Sequence, residues 1–280
     1  MLWRVAVSTV LAILLLISCV YSNTRTYDTK SAESGDAAGD FVAADAGKIA
    51  VDADNSDANH KQLLADLKQA QKAVQKMPGY ETRFVRQIRK GDELLEPEEM
   101  NLKLRHKPFS VYLHWPDDGK QALYVQGQND NKLVVKLDKG LLGLAGPLQL
   151  EPDDEQAMQS SRYPVTEIGL LNLVNRVLEI HEHAQLEKVA YDCKTENLDG
   201  ADCTCYTIRF QSPDVQPEYS KTVLHIATKS GLPMRVSSYG WDGGNPGELV
   251  EHYEYHDVQP NAQLRDWDFD PNNEKYSFRK

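Results

Sequence analysis

Three of the four cysteines, Cys193, Cys203 and Cys205, lie in one short stretch, and thiols so close in sequence can pair, hold a metal or react. The segment 190–210 reads as a β-hairpin turning around Leu198, Asp199 and Gly200. A three-residue loop centred on Asp199 sets Cys193 opposite Cys205, where cross-strand Cα atoms stand about 4.5–5.5 Å apart, a spacing that suits a disulfide. The expected pair is therefore Cys193 and Cys205, with Cys203 as the alternative partner after a slip of register. Zinc is the other use of a Cys-x-Cys pair, but no fourth ligand stands at metal spacing, so no metal is assigned. His252, Glu254 and His256 alternate along a strand and share a face, as ligands of a divalent cation would. Tyr253 and Tyr255 between them would then face the core, which an ordinary strand also shows, and that reading outweighs a metal site. His181, Glu182 and His183 end a helix, where imidazoles meet the helix dipole favourably, and are read as a cap. Asp117 and Asp118, Asp153 and Asp154, and Asp266, Asp268 and Asp270 sit in turns beside Pro and Gly. A carboxylate pair that hydrolyses must instead face across a cleft, one partner desolvated, so turn formation is the reading taken. Asp268, Asp270 and Asn272 lack the Gly and distal Glu of a calcium loop. No nucleophile elbow, phosphate-binding glycine loop or His-Glu-x-x-His helix occurs. No catalytic residue and no cofactor are assigned.

The elements that surround these groups begin with an export signal. Residues 1–22 carry Arg4, an apolar run from Val5 to Ile17, and small or polar residues from Ser18. The run is shorter than the roughly 20 residues a spanning helix needs. Leu16, Ile17, Ser18 and Cys19 form a lipobox-like pattern that makes Cys19 a candidate for lipidation; cleavage after Ser22 would instead discard it. The formal charge of −11 becomes −12 once Arg4 leaves with the signal. Such a chain lacks the clustered basic face that nucleic acid requires, and any membrane contact is expected only through an N-terminal lipid anchor.

Residues 23–58 are mostly Asp, Ala, Ser, Gly and Thr, with eight acids against Arg25, Lys30 and Lys48. Such a stretch cannot bury enough apolar surface to offset its ordering entropy, and it reads as a disordered acidic linker. From His60, Leu63, Leu67, Ala70 and Val74 repeat at helical spacing until Pro78 and Gly79. Two-residue alternation follows over 80–88, 100–106, 109–115, 123–127 and 132–137, broken by turn signals, which predicts consecutive antiparallel strands. A second helix is expected from Pro164, with Val165, Ile168, Leu171, Val174 and Leu178 as its stripe, before further strands over 189–193, 203–210, 222–228, 233–239 and 249–257. Residues 59–280 thus make one domain, without the βαβ alternation of a parallel sheet. Met100, Leu102 and Leu104, and Phe109, Val111, Leu113 and Trp115, give the sheet an apolar face; Lys103, Arg105, Tyr112 and His114 on the other side read as solvated.

Several stretches carry a resemblance. HKPFSVYLHWPDDGKQALYVQGQNDNKLVV and VLHIATKSGLPMRVSSYGW resemble parts of the LolA/LolB-like lipoprotein-carrier superfamily, the second through its Gly-Leu-Pro turn. RYPVTEIGLLNLVNRVLE and HYEYHDVQPNAQLRDWDFDPNNEKYSF look like a family of secreted bacterial proteins, a domain of unknown function. The resemblance spans about residues 60–280 and implies an α+β fold: a strongly curved antiparallel sheet, an incomplete β-barrel, with two main helices in or over its concave face. In the carriers that concavity holds acyl chains. What the resemblance implies here is a non-enzymatic, extracytoplasmic protein of the periplasm or cell envelope, holding a hydrophobic small molecule, an acyl chain or a lipidated protein.

Phe84, Leu102, Leu104, Val111, Leu113, Trp115, Leu123, Val125, Leu171 and Val174 are the expected lining of such a cavity; the same residues would also simply fill a core. An envelope interaction or sensor module with a packed interior is the second reading. An exported hydrolase, with His225, His252 or a carboxylate titrating abnormally in a cleft, is the third.

Overall fold

The computed structural model describes residues 53–137, 146–260 and 263–278, so the expected export signal, Cys19 and most of the stretch expected to be a linker lie outside the described residues. Two helices, α1 (Ala53–Lys76) and α2 (Leu170–Glu182), accompany a single antiparallel sheet of twelve strands. In chain order the strands are β1 (Gly79–Lys90), β2 (Glu93–Leu94), β3 (Glu98–His106), β4 (Phe109–His114), β5 (Gln121–Val125), β6 (Leu133–Lys136), β7 (Leu148–Leu150), β8 (Val189–Leu198), β9 (Ala201–Phe210), β10 (Lys221–Ala227), β11 (Pro233–Asp242) and β12 (Asn245–Pro260). Their spatial order is β7-β6-β5-β4-β3-β1-β12-β11-β10-β9-β8, with β2 paired only to β1. The ends β7 and β8 do not meet, so the curved sheet stays open, as the α+β expectation had it. Most neighbouring strands are consecutive in the chain; β1 also pairs with β12, which joins the two meanders through pairs such as Phe84 with Tyr255.

Alternation in the strands explains why both helices lie on one side. Phe84, Met100, Leu102, Leu104, Val111, Leu113, Tyr206, Ile208 and Leu224 all face inward and are buried. Against them α1 places Leu63, Leu67, Ala70 and Val74, none of which is exposed at all, on the stripe that spacing predicted. The helix begins earlier than that stripe, inside the stretch read as linker. Its first turns dock through polar groups: the Tyr191 N–H donates to Ser56 Oγ at 3.1 Å, and Asn59 Nδ2 donates to the Tyr191 carbonyl at 2.9 Å. Those bonds satisfy the free edge of β8, a role that an apolar period cannot reveal.

The second helix starts later than Pro164. Residues Val165–Glu167 form a 3-10 turn, and Gly169 then adopts φ 108° before Leu170. A Cβ there would stand 2.4 Å from Leu104 Cδ1, so the position requires glycine. No side chain of the turn caps the helix; the buried Tyr80 hydroxyl does so, accepting the Leu170 N–H at 2.8 Å.

The reading of the opposite sheet face as solvated is overturned. Tyr112 is 6% and Arg105 8% exposed, because residues 263–278 fold back over β3–β6 and form a second apolar cluster of Tyr112, Leu123, Val125, Val134, Leu264, Phe269, Tyr276 and Phe278. Tyr112 stacks on Tyr276 with centroids 4.0 Å apart, and the Arg105 guanidinium lies 4.8 Å from the Phe269 ring centre while pairing with Asp266 at 2.7 Å.

Candidate functional site

The register decides where the expected cavity residues point. Tyr112 stands opposite Leu123, and Ser110 opposite Val125, while Val111 and Leu113 face Tyr124 and Ala122. Of the predicted set, Phe84, Leu102, Leu104, Val111, Leu113, Trp115 and Val174 are therefore in the inner core, with Leu171 partly buried against it. Leu123 and Val125 belong to the outer face. The turn after β4 shifts the alternation by one, which reverses every side chain of β5 relative to the sequence reading.

The inner face is covered. Leu102, Leu104 and Val111 of the sheet, and Val174 of α2, are each at most 1% exposed where helices and sheet meet. A three-part hydrogen-bonded joint holds the helices and sheet together: His60 Nε2 lies 2.9 Å from the His181 carbonyl, and His181 Nδ1 lies 3.0 Å from the Tyr191 hydroxyl. His181 is thus not a dipole cap. It is buried beside the Phe210 ring, and burial, with His60 close by, lowers its imidazole to about 3. At the far end of the inner face Glu251, 5% exposed, is met by Arg162 at 3.2 Å, and Tyr163 and Tyr219 share a hydrogen bond of 3.0 Å. This polar group is paired within itself.

A cavity of about 290 Å³ lies instead on the outer face. Leu123 and Val125 of β5, Val134 of β6, Pro147, and Phe269, Pro271 and Phe278 of the returning C-terminal segment supply its apolar wall. Gln128, Asn129, Lys132, Gln149 and Asn272 are the polar residues of its lining. The turn that carries Asn129 is held open by three successive left-handed residues, Asn129, Asp130 and Asn131, at φ 50°, 54° and 57°. Asn tolerates that region better than most side chains, which accounts for the residue types chosen. Lys132 Nζ lies 3.6 Å from Glu151, whose side chain is 58% exposed, so the cation is only loosely neutralised. Trp267, 51% exposed, stands two residues from Phe269. Sequence reading found two of these wall residues; the others come from β6, from Pro147 just before β7, and from the C-terminal segment. The Phe and Tyr residues of that tail were the available signal, but they lie in an irregular segment with no period to read.

The other constellations take structural roles. The acids read as turn formers are such: Asp118 accepts the Lys120 N–H at 2.8 Å, Asp154 the Gln156 N–H at 2.8 Å, and Asp270 the Asn272 N–H at 2.7 Å. His252, Glu254 and His256 do share a face, but Glu254 accepts from both imidazoles, at 2.9 and 2.6 Å, and pairs with Arg235 at 2.6 Å. Burial alone would raise that carboxyl; the two imidazoles and Arg235 bring it down to about 2. Both oxygens of Glu254 are thus engaged.

The disulfide expectation is corrected. The β8–β9 hairpin turns on two residues, Asp199 and Gly200, both left-handed, so that Leu198 faces Ala201 and Cys193 faces Tyr206. Cys205 stands opposite Lys194 and Cys203 opposite Glu196, which directs both away from Cys193 to the other face of the sheet. All three are free thiols. Among the described residues, no helix is long and apolar enough to cross a membrane.

Residues 77–278 match a family described as "Protein of unknown function (DUF1571)". No curated protein matches the sequence. Among solved structures the chain is similar to lipoprotein LppX of Mycobacterium tuberculosis, at 18% identity over 73% of this chain and 99% of that one, with TM-score 0.42. It is similar to LprF of Mycobacterium bovis at 11% identity, over 73% and 96% of the two chains, with TM-score 0.43. It is also similar to a LolA superfamily protein of Nitrosomonas europaea at 13% identity, over 74% and 96%, with TM-score 0.28.

Proposed function

Because the chain belongs to the DUF1571 family, whose description assigns no activity, we propose its function from its geometry: a non-enzymatic extracytoplasmic protein that binds a small hydrophobic ligand in the outer-face cavity. The observation that carries this reading is the cavity of about 290 Å³ between β5, β6 and the C-terminal segment. Most of its lining is apolar, and the two amides of the 128–129 turn and the Lys132 ammonium are among its polar groups. That combination suits an amphiphile, a short acyl chain or an aromatic group with a polar or acidic head. The volume sits near the lower end of the roughly 300–1,000 Å³ of small-molecule sites, which favours one short tail over a diacyl lipid. Similar apolar surface on the inner face is taken up by the helices, so the ligand site shifts from the concave side to the convex one. An export signal over 1–22, and lipidation at Cys19, would place such a binder at the cell envelope.

The test is native mass spectrometry of the exported protein, followed by denaturation and extraction. A stoichiometric amphiphile released on unfolding, and lost in Val134→Phe, which fills part of the cavity, is the expected result. A clean mass in both proteins, unchanged after incubation with decanoate, would remove the binding reading and favour an interaction module.

A further inference from the structure

At the opposite end of the sheet, the outer face gathers three groups that no role above uses. A carboxylate oxygen of Glu196, the Cys205 sulfur and an imidazole nitrogen of His225 lie within 4.8 Å of one another. They come from three neighbouring strands. Cys205 on β9 stands directly opposite His225 on β10 and Lys194 on β8, and Glu196 follows Lys194 by two residues on the same face. Cys205 is 2% and His225 6% exposed. His225 Nε2 lies 2.5 Å from Glu196 Oε1, but its Nδ1 is buried with no hydrogen-bond partner.

We propose that Glu196, Cys205 and His225 bind one divalent cation of the zinc class, with a fourth position left to water. A thiolate, an imidazole and a carboxylate are the donors such a cation takes in tetrahedral sites, whereas magnesium and calcium prefer oxygen alone. One thiolate and one carboxylate also balance the charge of a divalent ion. Binding replaces the Cys205 thiol proton, which leaves to solvent; no electron moves.

The surroundings permit this. Of the nearby cations, Arg235 on β11 is engaged by Glu254 at 2.6 Å and Asp199 at 3.4 Å. Lys194 pairs with Glu196 at 2.7 Å, but its side chain is 67% exposed and can swing into water. Ligand atoms bonded to zinc at about 2.0–2.3 Å stand well over 3 Å apart, so Glu196 must draw back from His225 by about 1 Å. Its partly exposed side chain has the freedom to do so. Cys203 lies beside Glu196 on the same face, fully buried. The site is independent of the outer-face cavity, and the two readings stand or fall separately.

Cobalt is the probe. The full chain, stripped with chelator and kept reduced, is titrated with Co²⁺ and followed by the sulfur-to-metal charge-transfer absorption and the ligand-field bands of tetrahedral cobalt. The expected result is saturation at one equivalent, displacement by Zn²⁺, and an unchanged response in Cys193→Ser, whose thiol is on the other face. Cys205→Ser should abolish the charge-transfer band, and His225→Gln and Glu196→Gln should each weaken binding by about 100-fold or more, since even outer-shell losses cost 10–100-fold. Glu196→Gln changes a partly exposed side chain and so keeps the comparison decisive if a buried variant misfolds. Absence of a charge-transfer band in the unaltered chain, its survival in Cys205→Ser, or unchanged affinity in folded Glu196→Gln would each overturn the proposal.

Discussion

Acidification should loosen the joint between the helices and the sheet, and His181 sets how much. Its imidazole is 2% exposed, and burial together with His60 lowers it from 6.5 to about 3. The neutral ring is thus the form that the fold accepts. Above pH 6.5 neither the folded nor the unfolded ring is charged and the group adds no pH dependence. As pH falls below 6.5 the unfolded ring gains a proton that the folded ring refuses, so stability drops until the pH approaches the folded value. At pH 5 the gap is one and a half units, and at about 1.36 kcal/mol per unit this is a loss of about 2 kcal/mol. That figure holds even if the folded value were a unit higher, because pH 5 still lies above it. The assay is urea unfolding at pH 7 and pH 5 for the unaltered protein and for His181→Gln. The variant is less stable at both, having lost the Tyr191 hydrogen bond and the Phe210 stack. Its drop between the two pH values should nevertheless be about 2 kcal/mol smaller. Equal drops in the two proteins would refute the reasoning.

Tyr80→Phe removes the acceptor for the Leu170 N–H and should cost about 1–3 kcal/mol in chemical unfolding, the penalty for a buried unpaired donor. Gly79→Ala puts a Cβ 2.5 Å from the Leu104 carbonyl oxygen, a backbone atom that cannot yield without parting β1 from β3; it should lower the midpoint of thermal unfolding clearly, where Gly91→Ala, with open space around it, disturbs only a left-handed turn. Arg105→Ala frees Asp266 and uncovers Phe269, and the expected reading is faster proteolysis within 263–278 with the β8–β12 half of the sheet unaffected.

The strands were legible because alternation is strict wherever one face is covered by helices: the 80–88 and 100–106 runs lie within β1 and β3, and the Leu63 to Val74 stripe is the buried face of α1. Legibility failed where a single residue of turn changes everything after it. A two-residue turn at Asp199 and Gly200, in place of three, moved Cys205 from Cys193 to Lys194, and a shift after β4 carried Leu123 and Val125 to the far face. Hairpin register is a property of turn geometry more than of strand composition. None of the expected strands covers Leu148–Leu150, which forms the edge strand β7, because three residues cannot show a period. The outer-face cavity was invisible for a related reason. A third of its lining comes from an aperiodic tail whose packing on Tyr112 and Leu123 is a tertiary fact. The cluster of Glu196, Cys205 and His225 spans three strands, and only the correct register brings its members together.

The central claim is that a hydrophobic ligand enters the outer cavity and not the helix-covered face. Methyl-resolved NMR with decanoate separates the two, since Leu123, Val125 and Val134 line the first while Leu63, Leu102, Val111 and Val174 lie in the second. The account predicts saturable shifts confined to the first group at one ligand per chain. Shifts confined to the second group, or no saturable shift in either, would contradict it.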